Sequence, residues 1–487
     1  MKLVLFEDEF WQHFTPIIHT RPLFELRCGA FTVRERVMAH VSLRQTALLS
    51  RAYGSTQTDI VVDMGAAQTG QTLVGLCRPH LMDYYGPPGG IVSLLSVSTP
   101  LTLINARALD LDWLPDLLDE PVNTIYVTDG VLLGAHLSPA LASAVCYYLR
   151  DQQAMAALEE LKRFARVREV NSILLQFPWD LIAQTGEQIV QDVALLAARL
   201  PRYVPSHPHI AVYRADDIYV DPSAQIDAHV VLDARNGPII IDQHAHIEPF
   251  SFIQGPAYIG AGTLIASARI RSETSLGPVC RIGGEVEASI VQAFSNKHHD
   301  GFLGHSWVGE WVNIGAMTTN SDLKNTYSNI RVVLDGLGQF DSGTLKLGCF
   351  LADHVKLSIG LHLNGGTVVG AGSNIFGTHV VPKTVPAFTW GGEIFHEYRI
   401  DTMIEVARKV MERRKQSLSL EYEALLRAVF EHTRSSRDGI ERSMLPLAAP
   451  DTSDQERALE QSRQHWIARL GLLRHRRPAT NCEPRTV

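Results

Sequence analysis

Between Ser295 and Ala316 the chain reads SNKHHDGFLGHSWVGEWVNIGA, with Lys297, His298 and His299 standing together ahead of a run of small and aliphatic residues. An imidazole exchanges protons near neutral pH, which suits it to take a proton from an attacking amine or hydroxyl. A histidine pair is also compatible with a solvated turn that does no chemistry. A two-histidine metal site is disfavoured, because adjacent residues of an extended chain point to opposite faces and no third ligand follows at a suitable spacing.

The elements that must position this stretch have their own rhythm. Ile241, Ile247, Ile253, Ile259 and Ile265 fall six residues apart, and the spacing resumes through Ile270, Leu276 and Ile282, through Phe302, Val308 and Ile314, and through Leu357, Leu363, Val369, Ile375 and Val381. A hexad matches neither a helix nor a simple alternating strand. It is the period of a parallel β-helix, in which each six-residue side sends one aliphatic residue into a shared core. Glycines beside the aliphatic positions, as in YIGAG, RIGG, NIGA and VVGAG, suit corners where a side chain would clash or φ must be positive. The polar SNKHHDG breaks this rhythm, and so do TTNSDLKN and the repeat-free run near LDGLGQFDSG, which marks them as places where the chain leaves the coil.

Residues 268–320 resemble the acetyltransferase domain of the bifunctional enzymes that make UDP-N-acetylglucosamine. The matching segments are ARIR at 268–271, HHDGFLG at 298–304, VNIGA at 312–316, and Asn320. The resemblance implies a left-handed β-helix, a homo-trimer, acetyl-CoA as co-substrate and glucosamine-1-phosphate as acceptor. It further implies His299 as the catalytic base, Arg271 on the sugar phosphate, and Asn313 and Asn320 in substrate binding. Phe302 stands where those enzymes have a tyrosine, and Ser289 where they have a substrate-binding lysine whose charge Lys297 or Lys324 could replace. For Arg271, a rim ion pair is the alternative to phosphate binding.

Residues 1–205 alternate β-rich runs (KLVLF, DIVVDM, LTLIN) with helical patterns (LSPALASAVCYYL, EQIVQDVALLAARL), which predicts an α/β domain with a largely parallel sheet. A hairpin is expected at Asp129-Gly130, and RPHLMDYYGPPGG is expected to be a loop. The opening is similar to a divergent class of sugar nucleotidyltransferases with the pattern T-R-P-x-x-E-L-R-x-G, here Thr20, Arg21, Pro22, Glu25, Leu26, Arg27 and Gly29. INARAL at 104–109 and the PWD beginning at Pro178 also fit. This resemblance implies transfer of a nucleotidyl group from UTP or another NTP to a sugar-1-phosphate, with Mg²⁺ held by Asp180 and the nucleotide by Arg21, Arg27, Asn105 and Arg107. The alternatives are an ion pair from Arg21 or Arg27 to Glu25 or Glu35, and a helix N-cap for Asp180. The glycine-rich G-x-G-T-R loop is absent, so a domain that binds a nucleotide sugar without turning it over stays open, as does a non-catalytic trimeric scaffold.

The expected organisation is therefore an α/β nucleotidyltransferase-like domain at 1–205, a β-helix at 206–395, and a helical extension at 396–487 with a weakly ordered end. A net charge of −8 over 487 residues gives no basic footprint for nucleic acid. Six cysteines without a C-x-x-C pair fit neither a disulfide framework nor a zinc site. The first residues, MKLVLFEDEFW, lack the apolar core of a signal peptide, and no apolar run would span a bilayer. A cytoplasmic protein with no membrane partner is expected.

Overall fold

A computed structural model describes residues 2–53, 72–86, 99–438 except 198, 206 and 379, and residue 440. DIVVDM lies outside the described residues.

The N-terminal sheet has six strands in the order Thr72–Leu76, Lys2–Phe6, Leu101–Asn105, Val131–Leu137, Thr124–Thr128, Arg166–Glu169. Lys2–Phe6 pairs in parallel with both of its neighbours. Val131–Leu137 runs antiparallel to both of its own, so the sheet is mixed rather than largely parallel. The reason is local. Asp129 and Gly130 both adopt positive φ, at 52° and 77°, the geometry of a tight hairpin turn whose twist matches its strands. Part of the expected loop at 78–90 is instead a helix, Pro79–Tyr85, because Pro79 opens its first turn and Leu81 is buried beneath it.

From Ala211 onward the chain winds into a three-sided parallel coil. One side is a ladder of nine strands, from Ile218–Val220 to Thr384–Val385. Successive hexad isoleucines fall on successive sides: Ile241 on that ladder, Ile247 on the second, Ile253 on the third, and Ile259 back on the first beside Ile241. All of these are fully buried. Each contributes about 1.5–3 kcal/mol of apolar transfer relative to an exposed side chain, and so the core holds the coil together from within. One hexad assignment was off by a residue. Leu303, at 3% exposure, fills the core where Phe302 was expected, and Phe302 faces outward. The cause is the corner that follows: Leu303 lies six residues after the inward Lys297, but Val308 on the first side is only five residues further on, so counting back by six from Val308 lands on Phe302.

Glycine beside the aliphatic positions answers mainly to close approach between turns of the coil. A Cβ on Gly283 would lie 1.9 Å from the carbonyl oxygen of His298 in the next turn. Positive φ at the corners is in large part carried by other residues, among them His229, Phe250, Val279, Trp311 and Met317.

The break near LDGLGQFDSG forms an antiparallel hairpin, Arg331–Leu334 with Gly338–Asp341. It is packing material rather than a free loop. Ile330, Val332 and Leu334 belong to one core cluster with Phe14 and Ile17 of the N-terminal region, Phe350 of the coil, and Leu426 and Val429 of the helix Leu420–His432. That helix and Ile400–Glu412 form where the apolar spacing changes after the hexads end.

Candidate functional sites

On the coil, His299 occupies a bulge between the strand Asn296–Lys297 on the second side and Phe302–Gly304 on the third. The residue is exposed, and its ring stands edge-on to the half-buried His298, with centroids 5.0 Å apart at 84°. The frame beneath is tight. Gly283 leaves room for the His298 carbonyl, and the Met317 amide donates to Asp300 O at 2.7 Å from the turn that follows. Arg271 and Asn313 are also exposed, Asn313 accepting from Asn296 Nδ2 at 3.0 Å. Arg271 follows Arg269, whose guanidinium pairs with Glu285 at 3.0 Å on the third side, the side that Phe302 joins by pairing with Glu285.

Three other residues expected at this site do not present their polar groups to a substrate. Lys297 is 3% exposed, and its ammonium donates to Gly283 O and His299 O, each at 2.8 Å. Its stem lines an interior cavity of about 10 Å³, room for one water, together with Leu303 and Ile314. Asn320 is buried, and its amide replaces a missing rung of the ladder by accepting from Gly304 N at 2.9 Å and donating to Gly304 O at 3.0 Å. Lys324 bonds the carbonyl of Asn329 within its own loop. Ser289, at the position of the absent lysine, is wholly buried and accepts from Ser306 N.

In the N-terminal region the T-R-P segment is pressed against the coil. Arg21 is 3% exposed. It donates to Asp353 through Nη2 at 2.6 Å and to Glu310 through Nη1 at 2.9 Å, while the Thr20 hydroxyl donates to the same Asp353 carboxylate. Arg27 is buried as well, pairing with Glu35 at 3.3 Å and donating to Gln292 O and Ala30 O. Arg27 makes the ion pair to Glu35, whereas the carboxylates of Arg21, Glu310 and Asp353, lie on the coil rather than at Glu25 or Glu35. Asn105 and Arg107 have no exposed surface and both donate to Asp8, whose carboxylate lies 2.6 Å from Arg107 Nη2. Glu7 accepts from Leu23 N and from Arg78 in the same way. The space just past the strand Lys2–Phe6, where open α/β sheets commonly receive ligands, is filled by these carboxylate–arginine pairs.

Asp180 caps a helix. It sits in the first turn of Pro178–Leu196, and its carboxylate accepts from Gln176 N at 2.7 Å and Phe177 N at 2.9 Å. Burial pushes its carboxyl up to about 6 despite the pull of those N–H groups and of Arg107. Its Oδ2 is thus taken up by the N–H groups at the start of this helix. Among the described residues no cluster of three His, Cys, Asp or Glu could hold a metal ion.

Residues 3–200 match the family model described as sugar nucleotidyl transferase. A bifunctional protein GlmU of Acidithiobacillus ferrooxidans is 32% identical over 172 residues, 33% of this chain and 34% of that protein. Over part of its length the chain is thus similar to bifunctional GlmU proteins. A bifunctional sugar-1-phosphate nucleotidylyltransferase/acetyltransferase of Sulfurisphaera tokodaii is similar at 33% identity over 152 residues, 31% of this chain and 38% of that protein. The chain therefore spans about a third of the length of the curated relatives it matches. Among solved structures, a UDP-N-acetylglucosamine acyltransferase of Francisella novicida aligns over 46% of this chain and 89% of that one, at 11% identity and a TM-score of 0.22.

One acid–base pair in the coil escapes the sequence reading. His305 Nδ1 lies 2.7 Å from Asp322 Oδ2 at the corner after Phe302–Gly304, both side chains largely buried. Burial alone would raise the Asp322 carboxyl, but the bond and charge of His305, with Lys346 and a backbone N–H, together hold the group below its ordinary value. The signal was available in the spacing. His305 and Asp322 are 17 residues apart, as are Asn296 and Asn313, which is one circuit of the coil. Nothing short-range in the sequence links them.

Proposed function

We propose that the protein is a bifunctional transferase acting in nucleotide-sugar synthesis, with acyl transfer on the coil and nucleotidyl transfer in the N-terminal domain. In the first reaction the amine of glucosamine-1-phosphate attacks the thioester carbonyl of acetyl-CoA. A C–N bond forms, the C–S bond breaks, His299 takes the amine proton, and the thiolate leaves to become the CoA thiol. The observation that carries this reading is the exposure of His299 on a bulge whose backbone is held from both neighbouring turns of the coil. Arg271 is the group that would meet the sugar phosphate, and Asn313 the sugar.

The corner in a single chain is open, and the exposed Met317 and Ile359 stand along it at 63% and 70% exposure. We take a second copy to cover them and close the site, as in a homo-trimer acting in the cytoplasm. In the second reaction a sugar-1-phosphate oxygen attacks the α-phosphorus of UTP or another NTP, and pyrophosphate leaves. Its support is the family match over residues 3–200.

One observation favours a narrower reading, acyl transfer alone beside a domain that no longer turns over nucleotide. All four residues expected to hold the nucleotide, Arg21, Arg27, Asn105 and Arg107, are buried and bonded to protein. Two assays on the purified protein separate the readings: thiol release from acetyl-CoA with glucosamine-1-phosphate, and pyrophosphate release from UTP with N-acetylglucosamine-1-phosphate. Both products support the bifunctional reading and thiol alone the narrower one. Neither product contradicts both and returns the coil to a scaffold.

A further inference from the structure

Lysine inside a β-helix is costly, because an ammonium loses several kcal/mol of hydration on burial and recovers it only through close acceptors. Lys297 nevertheless occupies an inward position, in register with Ile282 of the preceding turn, and its stem shares the core with Leu303 and Ile314. Its two acceptors are not equivalent. Gly283 O belongs to the turn below, whereas His299 O belongs to the bulge itself. The ammonium is therefore a strap between the rigid coil and the residue proposed as the base. The surroundings are cut to fit it. Gly284 adopts φ +69°, and a Cβ there would lie 2.8 Å from Nζ, so a side chain at 284 would push the strap aside. Nothing about the packing of the core requires a charge here, since the neighbouring inward positions are Ile282 and Ile314.

We propose that Lys297 is a positioning residue for acyl transfer: it contacts no substrate, and it fixes the carbonyl of His299 and with it the direction of the imidazole. This inference rests on the reading of His299 as the base. Burial pulls the ammonium down to about 8, partly countered by Asp300, in keeping with an ammonium that has left water to serve two carbonyls.

The test is a double-mutant cycle of Lys297→Met and His299→Ala in the full chain, read by steady-state thiol release, together with amide hydrogen exchange at Met317, whose N–H bonds Asp300 in the bulge. Lys297→Met should lower kcat about 10- to 100-fold with KM for the sugar phosphate little changed. It should speed exchange at Met317 about 10-fold, and it should cost nothing further when His299 is already alanine. Lys297→Gln, which keeps an N–H donor, should fall between wild type and methionine, and it serves in place of methionine if that variant does not fold. Losses that add across the cycle, or a Met317 amide as protected in the methionine variant as in wild type, would overturn the proposal. A His299→Ala variant of full activity would remove the base, while exchange at Met317 would still report whether Lys297 holds the bulge.

Discussion

Arg21 and Asp353 face each other at 2.6 Å, both shut away from water, and tie the opening of the chain to the coil more than three hundred residues later. The pair is the centre of a buried set that also takes in Thr20 and Glu310. Removing one member leaves a charge buried without its partner, which costs about 3–5 kcal/mol. Arg21→Met should therefore lower the denaturation midpoint sharply, and Arg21→Met with Asp353→Leu should recover much of the loss. A single variant as stable as wild type would mean that the pair does not hold the two regions together.

Asp180 gives a pH test with a definite sign. Its folded-state pKa is raised above the unfolded value, so it contributes stability that is full below about pH 4 and is lost as the pH climbs through about 6. Urea denaturation of wild type against Asp180→Asn should show wild type losing about 2–3 kcal/mol relative to the variant between pH 4 and pH 7. If Asp180 were instead a metal ligand, Asp180→Asn would abolish pyrophosphate release. As a helix cap, it should leave any such activity within a few-fold.

Asn320 supplies both halves of a missing ladder rung. Asn320→Ala strands the N–H of Gly304 away from water, at about 1–3 kcal/mol for the unsatisfied group, while Gly304 O keeps the Ser306 hydroxyl. Chemical denaturation should show that loss. A substrate-contacting asparagine would instead raise KM and leave stability alone.

Gly283 lies in contact with the bulge from below, where a methyl group would meet the His298 carbonyl at 1.9 Å. Gly283→Ala should reduce thiol release at least 10-fold while leaving N-terminal chemistry untouched. Unchanged acyl transfer would show that the bulge does not need this close approach.

The coil was legible because its signal is periodic: the hexad through Ile241, Ile247 and Ile253 states both the fold and which residues face inward. It misses only at Phe302, because the corner from Leu303 to Val308 is one residue short of a hexad and nothing in the spacing announces it. The hairpin at Asp129-Gly130 was legible for a different reason, since its geometry depends on those two residues alone. Arg21, Arg107 and Lys297, expected as ligand contacts, are bonded to protein groups in the structure. A cation looks the same in sequence whether it meets a phosphate or a buried carboxylate, and the partner of Arg21, Asp353, is remote along the chain. Asp180 shows the same ambiguity at short range, and only the geometry of its N–H donors separates a cap from a ligand.

The measurement that bears most directly on the account is thiol release from acetyl-CoA by His299→Ala, with glucosamine-1-phosphate as acceptor. Loss of a positioned general base should reduce kcat by about 10²–10⁴ without unfolding the protein, because the ring is exposed and packs into no core. A variant as fast as wild type would contradict the assignment of acyl transfer to this corner of the coil.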